Sequence, residues 1–323
     1  MRTRNPLTGW DAAVTAFLTS RRALGRAYGI EEWILNNLRT FLVKAGADDL
    51  DQQLFNRWRE PFCRLSVDTR VARERVVYRF CRYRRRREPG CFFPELDSLA
   101  RPRAQPLPTI IDREQIVRLL RFISRIHAKP HEMLRPAVLR LAIILLYTTG
   151  LRRGELVRLT LGDVDARQGV LFIRESKLHK SRWVPLSPSV RDELRRYLAA
   201  RQCAGFDSRD SAALLCNVRG RGYTGPGFYN SLTEVLVAAG IHGRSGRHPR
   251  VQDFRHSFAV AALLRWYEND ADVQVNLPKL ALYMGHVSIV STAYYLRCMP
   301  AVIERASERF ARSCSDLIGG GTL

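Results

Sequence analysis

A chain of 323 residues carrying 53 Lys and Arg against 31 Asp and Glu, a formal net charge of +22 at pH 7, is long enough for two separately cored domains and favours a polyanionic partner. Its seven cysteines show no CxxC pair and no repeated Cys/His spacing, which points away from a zinc site and a disulfide framework and fits a reducing cytoplasm. The first residues, Met1-Arg2-Thr3-Arg4-Asn5-Pro6, lack an apolar signal core, and the longest apolar run, Leu141 to Tyr147, is too short to span a bilayer, so a soluble protein with no membrane partner is expected.

From Trp10 to about Arg87 apolar residues recur at helical spacing. Val14, Phe17, Leu18 and Leu24 make one face; Ile34, Leu35, Leu38, Phe41 and Leu42 make another that stops at Gly46. A third helix is expected over Leu50 to Trp58 and a fourth over Asp68 to Arg87, so residues 1–88 read as a helical bundle. The fourth helix carries Arg70, Arg73, Arg75, Arg79, Arg82 and the run Arg84 to Arg87, with Val71, Val76, Val77 and Phe80 left for packing. A charge run of this kind is ordinarily a solvated face. Residues 89–108 hold Pro89, Gly90, Pro94, Pro102, Pro106 and Pro108, which resist helix and suit an extended linker, so the domain boundary is set there.

Over residues 109–323, Asp112 is placed to cap a helix running to about Ile126, and Met133 to Tyr147 is apolar enough to be a buried helix that tolerates Pro136 in its first turn. Asp163 to Leu186 alternates as strands do, with Val164, a Gln168-Gly169 turn, Val170 to Arg174, a turn at Lys177, and Trp183 to Leu186. Helical patterns return at Val190 to Ala200, Phe228 to Ala239, Phe254 to Trp266 and Leu277 to Met284. Ala301 to Ala311 then offers Val302, Ile303, Ala306 and Phe310 on one helical face. The fold class is therefore mainly α with one small antiparallel sheet.

Four segments bear side chains suited to phosphate chemistry. Thr148-Thr149-Gly150-Leu151-Arg152-Arg153-Gly154-Glu155-Leu156 sets Arg152 after a glycine turn, where a helix begins. Ser176 to Leu186 sets Lys177 in the turn of a hairpin, Gln252-Asp253-Phe254-Arg255-His256 supplies Arg255, and Leu282 to Leu296 places His286 nine residues before Tyr295. Each is weak alone. In this order and at these separations they resemble the tyrosine recombinases, the phage-integrase family that includes the Xer proteins.

A phosphodiester gains negative charge under attack, so a catalyst without metal must surround it with fixed cations, and the planar, permanently charged guanidinium suits that task. Arg152 and Arg255 are the candidates, the bland alternative being ion pairs with Glu155 or Asp253, which are otherwise expected to hold the two arginines in place. Tyr295 is the candidate nucleophile; a phosphotyrosyl intermediate conserves the bond energy and needs no ATP, cofactor or metal. Its neighbour Tyr294 is the rival, and the position nine residues after His286 with Leu296 following selects Tyr295. Lys177 matches the family's catalytic lysine as general acid to the departing 5′ oxygen, with Lys180 as rival and phosphate anchor. His286 is expected to hydrogen-bond the scissile phosphate. Gln252 departs from the family's His-x-x-Arg pattern: glutamine hydrogen-bonds but exchanges no proton near neutral pH, so phosphate positioning survives there while acid-base duty is in question. His256 resembles the second member of the family's common Arg-His pair and reads as structural.

The resemblance further implies a 3′-phosphotyrosyl link, a Holliday junction, and a homotetramer on double-stranded DNA with specific recombination sites, an accessory DNA-binding protein being a further candidate partner. It makes the N-terminal bundle a core-binding, SAM-like domain, with Arg73, Arg79, Arg82, Arg84, Arg85 and Arg86 as phosphate contacts, and the rest a catalytic domain. The expected role is integration, excision or cointegrate resolution of a transposon or plasmid, in the bacterial cytoplasm at the nucleoid. Two other readings stand beside it, a DNA-binding accessory protein that has lost catalysis and a type IB topoisomerase. Whether the terminal helix packs on its own domain or on a neighbouring protomer is left open.

Overall fold

The computed structural model describes residues 8–103, 107–127, 132–174, 181–243, 246–286, 288, 290–298 and 300–318. The chain divides into two compact units, Met1–Pro106 and Leu107–Leu323.

The first unit packs α1 (Thr8–Arg22), α2 (Gly29–Lys44), α3 (Gln52–Arg59) and α4 (Val67–Arg84). Local chemistry sets the ends: Asp51 accepts from the Leu54 N–H to start α3, and Ser66 accepts from the Thr69 N–H to start α4. Trp10, Phe17, Leu38, Phe55 and Phe80 fill the core, with Trp10 edge-on to Phe80 at a centroid separation of 5.0 Å. Truncating the fully buried Phe80 to Ala would cost about 3–5 kcal/mol. Leu24, expected on the first apolar face, is 63% exposed, because α1 ends at Arg22 and Gly25 turns the chain away with a φ of 75°. The proline-rich stretch is not free of the bundle. Phe92, Phe93 and Leu99 pack on its core, and the Ala100 N–H donates to the buried carboxylate of Glu74 at 2.6 Å.

The second unit opens with α5 (Arg113–Ser124), started by a reciprocal capping box between Asp112 and Gln115. α6 (Arg135–Thr149) is buried on nearly every side and ends at Gly150 in the left-handed conformation; α7 (Arg153–Arg158) follows. Three short strands, β1 (Val164–Asp165), β2 (Val170–Ile173) and β3 (Arg182–Pro185), form an antiparallel sheet in chain order, with Leu171 opposite Val184 and Ile173 opposite Arg182. Helices α8 (Pro188–Cys203), α9 (Gly225–Ala238), α10 (Val251–Glu268), α11 (Val273–Met284), α12 (Val290–Cys298) and α13 (Pro300–Ile318) complete it.

Helices α8 to α11 each start earlier than their apolar pattern predicts, two of them with an aspartate carboxylate at the first turn. Asp272 accepts from the Gln274 and Val275 N–H groups to start α11. Asp253 accepts from the Arg250 N–H at 2.8 Å and begins α10 at Val251, which places Gln252, Arg255 and His256 on one helix. The terminal helix α13 packs on α10 of its own chain: Val302 is fully buried and the Arg309 guanidinium donates to the Ala271 carbonyl at 2.8 Å. Phe310, expected on the packed face, is 71% exposed. Among the described residues no helix is long and apolar enough to cross a membrane.

Candidate active site

The site is assembled around a buried carboxylate. Glu155, in the first turn of α7, accepts from the Arg152 backbone N–H at 2.9 Å and from the Arg152 Nη1 at 2.7 Å, so the residue that caps the helix also pins the arginine preceding it. The same two oxygens are also forked by Arg182 at the start of β3, Nη1 to Oε1 at 3.1 Å and Nη2 to Oε2 at 2.8 Å. Arg182 was not singled out from sequence. The signal was present, because it lies two residues before the core residue Val184 and so shares the inward face of the strand.

Backbone carbonyls at helix C-termini hold the rest of the guanidinium array. Arg152 Nη2 donates to Gly285 O at 2.6 Å and Arg182 Nε to Tyr283 O at 2.8 Å, both at the end of α11. Arg255 Nη2 donates to Met284 O at 2.6 Å, and its Nη1 donates across to Gly150 O, the end of α6, at 2.7 Å. Unsatisfied carbonyls at the negative end of a helix dipole are the neutral groups best able to hold a cation. Two glycines permit this convergence. Gly150 has φ +62° and a Cβ there would stand 2.5 Å from the Phe258 ring; Gly285 has φ +65° and a Cβ would stand 3.0 Å from an Arg182 nitrogen.

Arg255 is 1% exposed and, among the described residues, donates only to those two carbonyls. Burial, followed by repulsion from Arg152, lowers its pKa to about 9. The guanidinium nevertheless stays charged at neutral pH. Among the described residues, three guanidinium groups gather about one carboxylate, which bonds two of them while carbonyls hold the third, a positive excess that an anionic phosphate fits.

His286 follows the left-handed Gly285, and its Nδ1 lies 2.6 Å from the Thr292 hydroxyl on α12, which leaves Nε2 without a partner among the described residues. Burial, Arg255 and Arg152 together push its pKa down to about 4, so the ring is neutral at pH 7. Tyr295, three residues after Thr292, is 2% exposed in the core between α10 and α13. Burial raises its phenol to about 12, with Arg255 and Arg152 pulling the other way. Its hydroxyl stands 2.7 Å from His256 Nδ1. Tyr294 meets the Tyr295 ring edge-on at 5.7 Å.

The structure therefore brings Arg152, Glu155, Arg255, His286 and Tyr295 of the expected set together, and adds Arg182 and His256. Lys177 and Lys180 lie outside the described residues. Gln252 is exposed on the first turn of α10, and its side chain takes no hydrogen bond among the described residues. Asp253, expected to hold Arg255, instead directs its carboxylate to Arg250 and the start of α10, because the capping geometry turns it to the helix end. In the first unit Arg84 is bound by Asp49 and Glu88, and Arg73 is stacked over Trp33 and Phe62, whereas Arg82, Arg85 and Arg86 stand exposed. No group of three or more His, Cys, Asp or Glu able to hold a metal ion occurs among the described residues.

The sequence profile of the phage integrase family matches residues 109–300. The chain is 34% identical over 244 residues to y4rE of Sinorhizobium fredii, named as an integrase/recombinase, which covers 76% of this chain and 77% of that protein. It is 32% identical over 302 residues to the tyrosine recombinase XerD of Bradyrhizobium diazoefficiens, covering 90% and 85%. The fold is shared with the Tn1549 transposon integrase in complex with transposon right end DNA, at a TM-score of 0.64 and 16% identity over 93% of this chain and 98% of that one.

Proposed function

The chain belongs to the phage integrase family, the tyrosine recombinases that break and rejoin DNA strands, and on that premise we propose that Tyr295 is its nucleophile in site-specific recombination of a mobile element. The observation that carries this reading is the convergence on one spot of guanidinium groups from remote parts of the chain. Arg152, Arg182 and Arg255 are held by Glu155, Gly150 and the 283–285 carbonyls, and the first and last of them are near enough to Tyr295 to favour its phenolate.

In this reading the Tyr295 oxygen attacks the scissile phosphorus and forms a 3′-phosphotyrosyl bond as the 5′ oxygen leaves. Arg152 and Arg255 take the charge that builds on the nonbridging oxygens. His286 donates from Nε2, which has no partner among the described residues, the tautomer set by Nδ1 accepting from Thr292. Arg182 acts through Glu155 as a positioning residue. Lys177 is five residues before Arg182 on the β2–β3 connection and supplies the proton to the 5′ oxygen. The exposed Arg82, Arg85 and Arg86, with Arg79, give the N-terminal unit its phosphate contacts. The resting Tyr295 is nearly inaccessible, so α12 must shift when DNA is seated. Rejoining to a second strand within a homotetramer gives a Holliday junction, and the choice among integration, excision and cointegrate resolution follows from the DNA sites presented.

A nicked suicide duplex taken from DNA flanking the gene tests this. Wild type and Tyr294→Phe are expected to accumulate a covalent protein–DNA adduct, while Tyr295→Phe forms none. An adduct that survives Tyr295→Phe and vanishes with Tyr294→Phe would transfer the role to the neighbouring ring.

A further inference from the structure

The proton that Tyr295 must lose has an assigned acceptor in neither composition nor motif. Gln252, at the position where a titrating side chain would be looked for, is chemically unable to take it and stands exposed, with no side-chain hydrogen bond among the described residues. One turn along the same helix, the His256 Nδ1 lies 2.7 Å from the phenol oxygen, with the two rings edge-to-face at 5.6 Å. We propose that His256 is a catalytic residue of this chain, the general base that receives the Tyr295 proton as the phenol oxygen bonds to phosphorus. The inference rests on Tyr295 being the nucleophile.

Several features fit the role. With its own proton on Nε2, the neutral imidazole offers the Nδ1 lone pair to the phenol O–H. Burial, with Arg250 and Arg255, pushes the His256 pKa down to about 4, so the imidazole is neutral at pH 7 and its lone pair is available. The titratable and charged groups that act on it are Arg250 just before α10, Asp253 and Arg255 on α10, His286 after α11 and Tyr295 on α12. Asp253 is buried one turn before it and is the anion that offsets the imidazolium once formed. With the phenol at about 12 and the imidazole at about 4, transfer in the resting enzyme is far uphill. The proton therefore moves only as the O–P bond forms, when phosphate charge beside the ring raises its basicity and the P–O5′ bond breaks. The balance is closed: the Tyr295 O–H bond is exchanged for an N–H bond of His256, the Tyr295 O–P bond replaces the P–O5′ bond, and the departing 5′ oxygen takes its proton from Lys177.

The experiment uses the full-length protein and a nicked flanking duplex whose scissile 5′ oxygen is replaced by sulfur. A thiolate leaves without needing a proton, so the Tyr295 proton is the only one in flight. Adduct formation in single turnover is followed from about pH 6 to about pH 9. Wild type is expected to be nearly flat, whereas His256→Asn is expected to be slower by roughly 10²-fold and to gain roughly tenfold in rate per pH unit, because hydroxide must now remove the proton. A uniform loss with the wild-type profile, no loss, or faster cleavage by His256→Asn would each overturn the proposal; the last would make the bond a resting lock. Should that variant fail to bind DNA, His256→Gln is taken through the same pH series: a slowed rate that rises roughly tenfold per pH unit supports His256, and the flat wild-type profile refutes it. Absence of any adduct with wild type would instead sink the Tyr295 reading, while an adduct lost in Tyr295→Phe with His256→Asn unimpaired sinks only this one.

Discussion

The two arginine-rich regions of the molecule use the same residue for different ends. On α4, guanidinium groups lie over rings, as Arg73 does on Trp33 and Phe62, close a local ion-pair network, as Arg84 does with Asp49 and Glu88, or stand in solvent, as Arg82 and Arg86 do. In the second unit Arg152, Arg182 and Arg255 are drawn inward and each bonded in two directions by fixed acceptors. A surface cation adds to a screened field that falls off over about 8–10 Å, so its exact position matters little. A buried cation acts on one point, and its geometry decides what it does. The difference teaches that a net charge of +22 predicts attraction to DNA without locating the chemistry.

The sharpest way to break the contrast is to keep charge and change shape. Arg255→Lys preserves one positive charge but cannot span Gly150 O and Met284 O, which accept from two different nitrogens. Cleavage of bound DNA is expected to fall roughly 10²- to 10³-fold, with affinity for the duplex little changed. The same exchange at Arg82, exposed on α4, is expected to leave the cleavage rate intact. Equal losses at both positions in the single-turnover assay would erase the distinction.

What could be read in advance follows the same division. The spacing from His286 to Tyr295 and the Gly150–Arg152 turn are local patterns, and local patterns survive in one dimension. The His256–Tyr295 bond joins residues 39 apart, and the Arg182–Glu155 fork joins residues 27 apart, so each exists only once α10, α12, α7 and β3 have packed. Arg182 could have been reached through strand alternation with Val184, whereas nothing in the His256 neighbourhood announces a phenol. Leu24 and Phe310 were assigned to buried faces because periodicity does not mark where a helix stops or which stripe of an amphipathic helix finds a partner. The proline-rich segment read as a spacer since composition registers its prolines and not the buried Glu74 that ties down Ala100.

A second test uses acid. Residues 1–106 contain no histidine, while His256 and His286 are both held near pKa 4, below the ordinary 6.5, chiefly by burial. A lowered folded-state pKa means that between about 6.5 and about 4 the unfolded chain binds more protons, so stability rises with pH across that window and is lost as pH falls through it. Going from about pH 7 to about pH 5 should cost the second unit on the order of 1 kcal/mol per histidine after allowance for partial exposure. Amide exchange read by mass spectrometry should show α10 to α12 peptides loosening at the lower pH while those of α2 and α4 hold, and His286→Gln should remove about half of the change. Parallel loosening in both units would mean that the two rings are not sequestered as neutral groups.

The smallest expected effect separates two arginines only two positions apart on α4. Arg82 is exposed, and if it neutralises one phosphate, Arg82→Ala should weaken duplex binding by about threefold and reduce the slope of log affinity against log salt by roughly one. Arg84 has its guanidinium between Asp49, at 2.5 Å and 2.8 Å, and Glu88, at 2.7 Å, so its charge is already answered within the protein. Arg84→Ala should therefore leave the salt slope unchanged and lower the stability of the first unit by about 1–2 kcal/mol, through a partly covered ion pair and the guanidinium that lies over Trp10. Salt titration of the two variants side by side distinguishes an arginine that faces DNA from one that braces the bundle, and a steeper loss of slope at Arg84 than at Arg82 would reverse the assignment of that face.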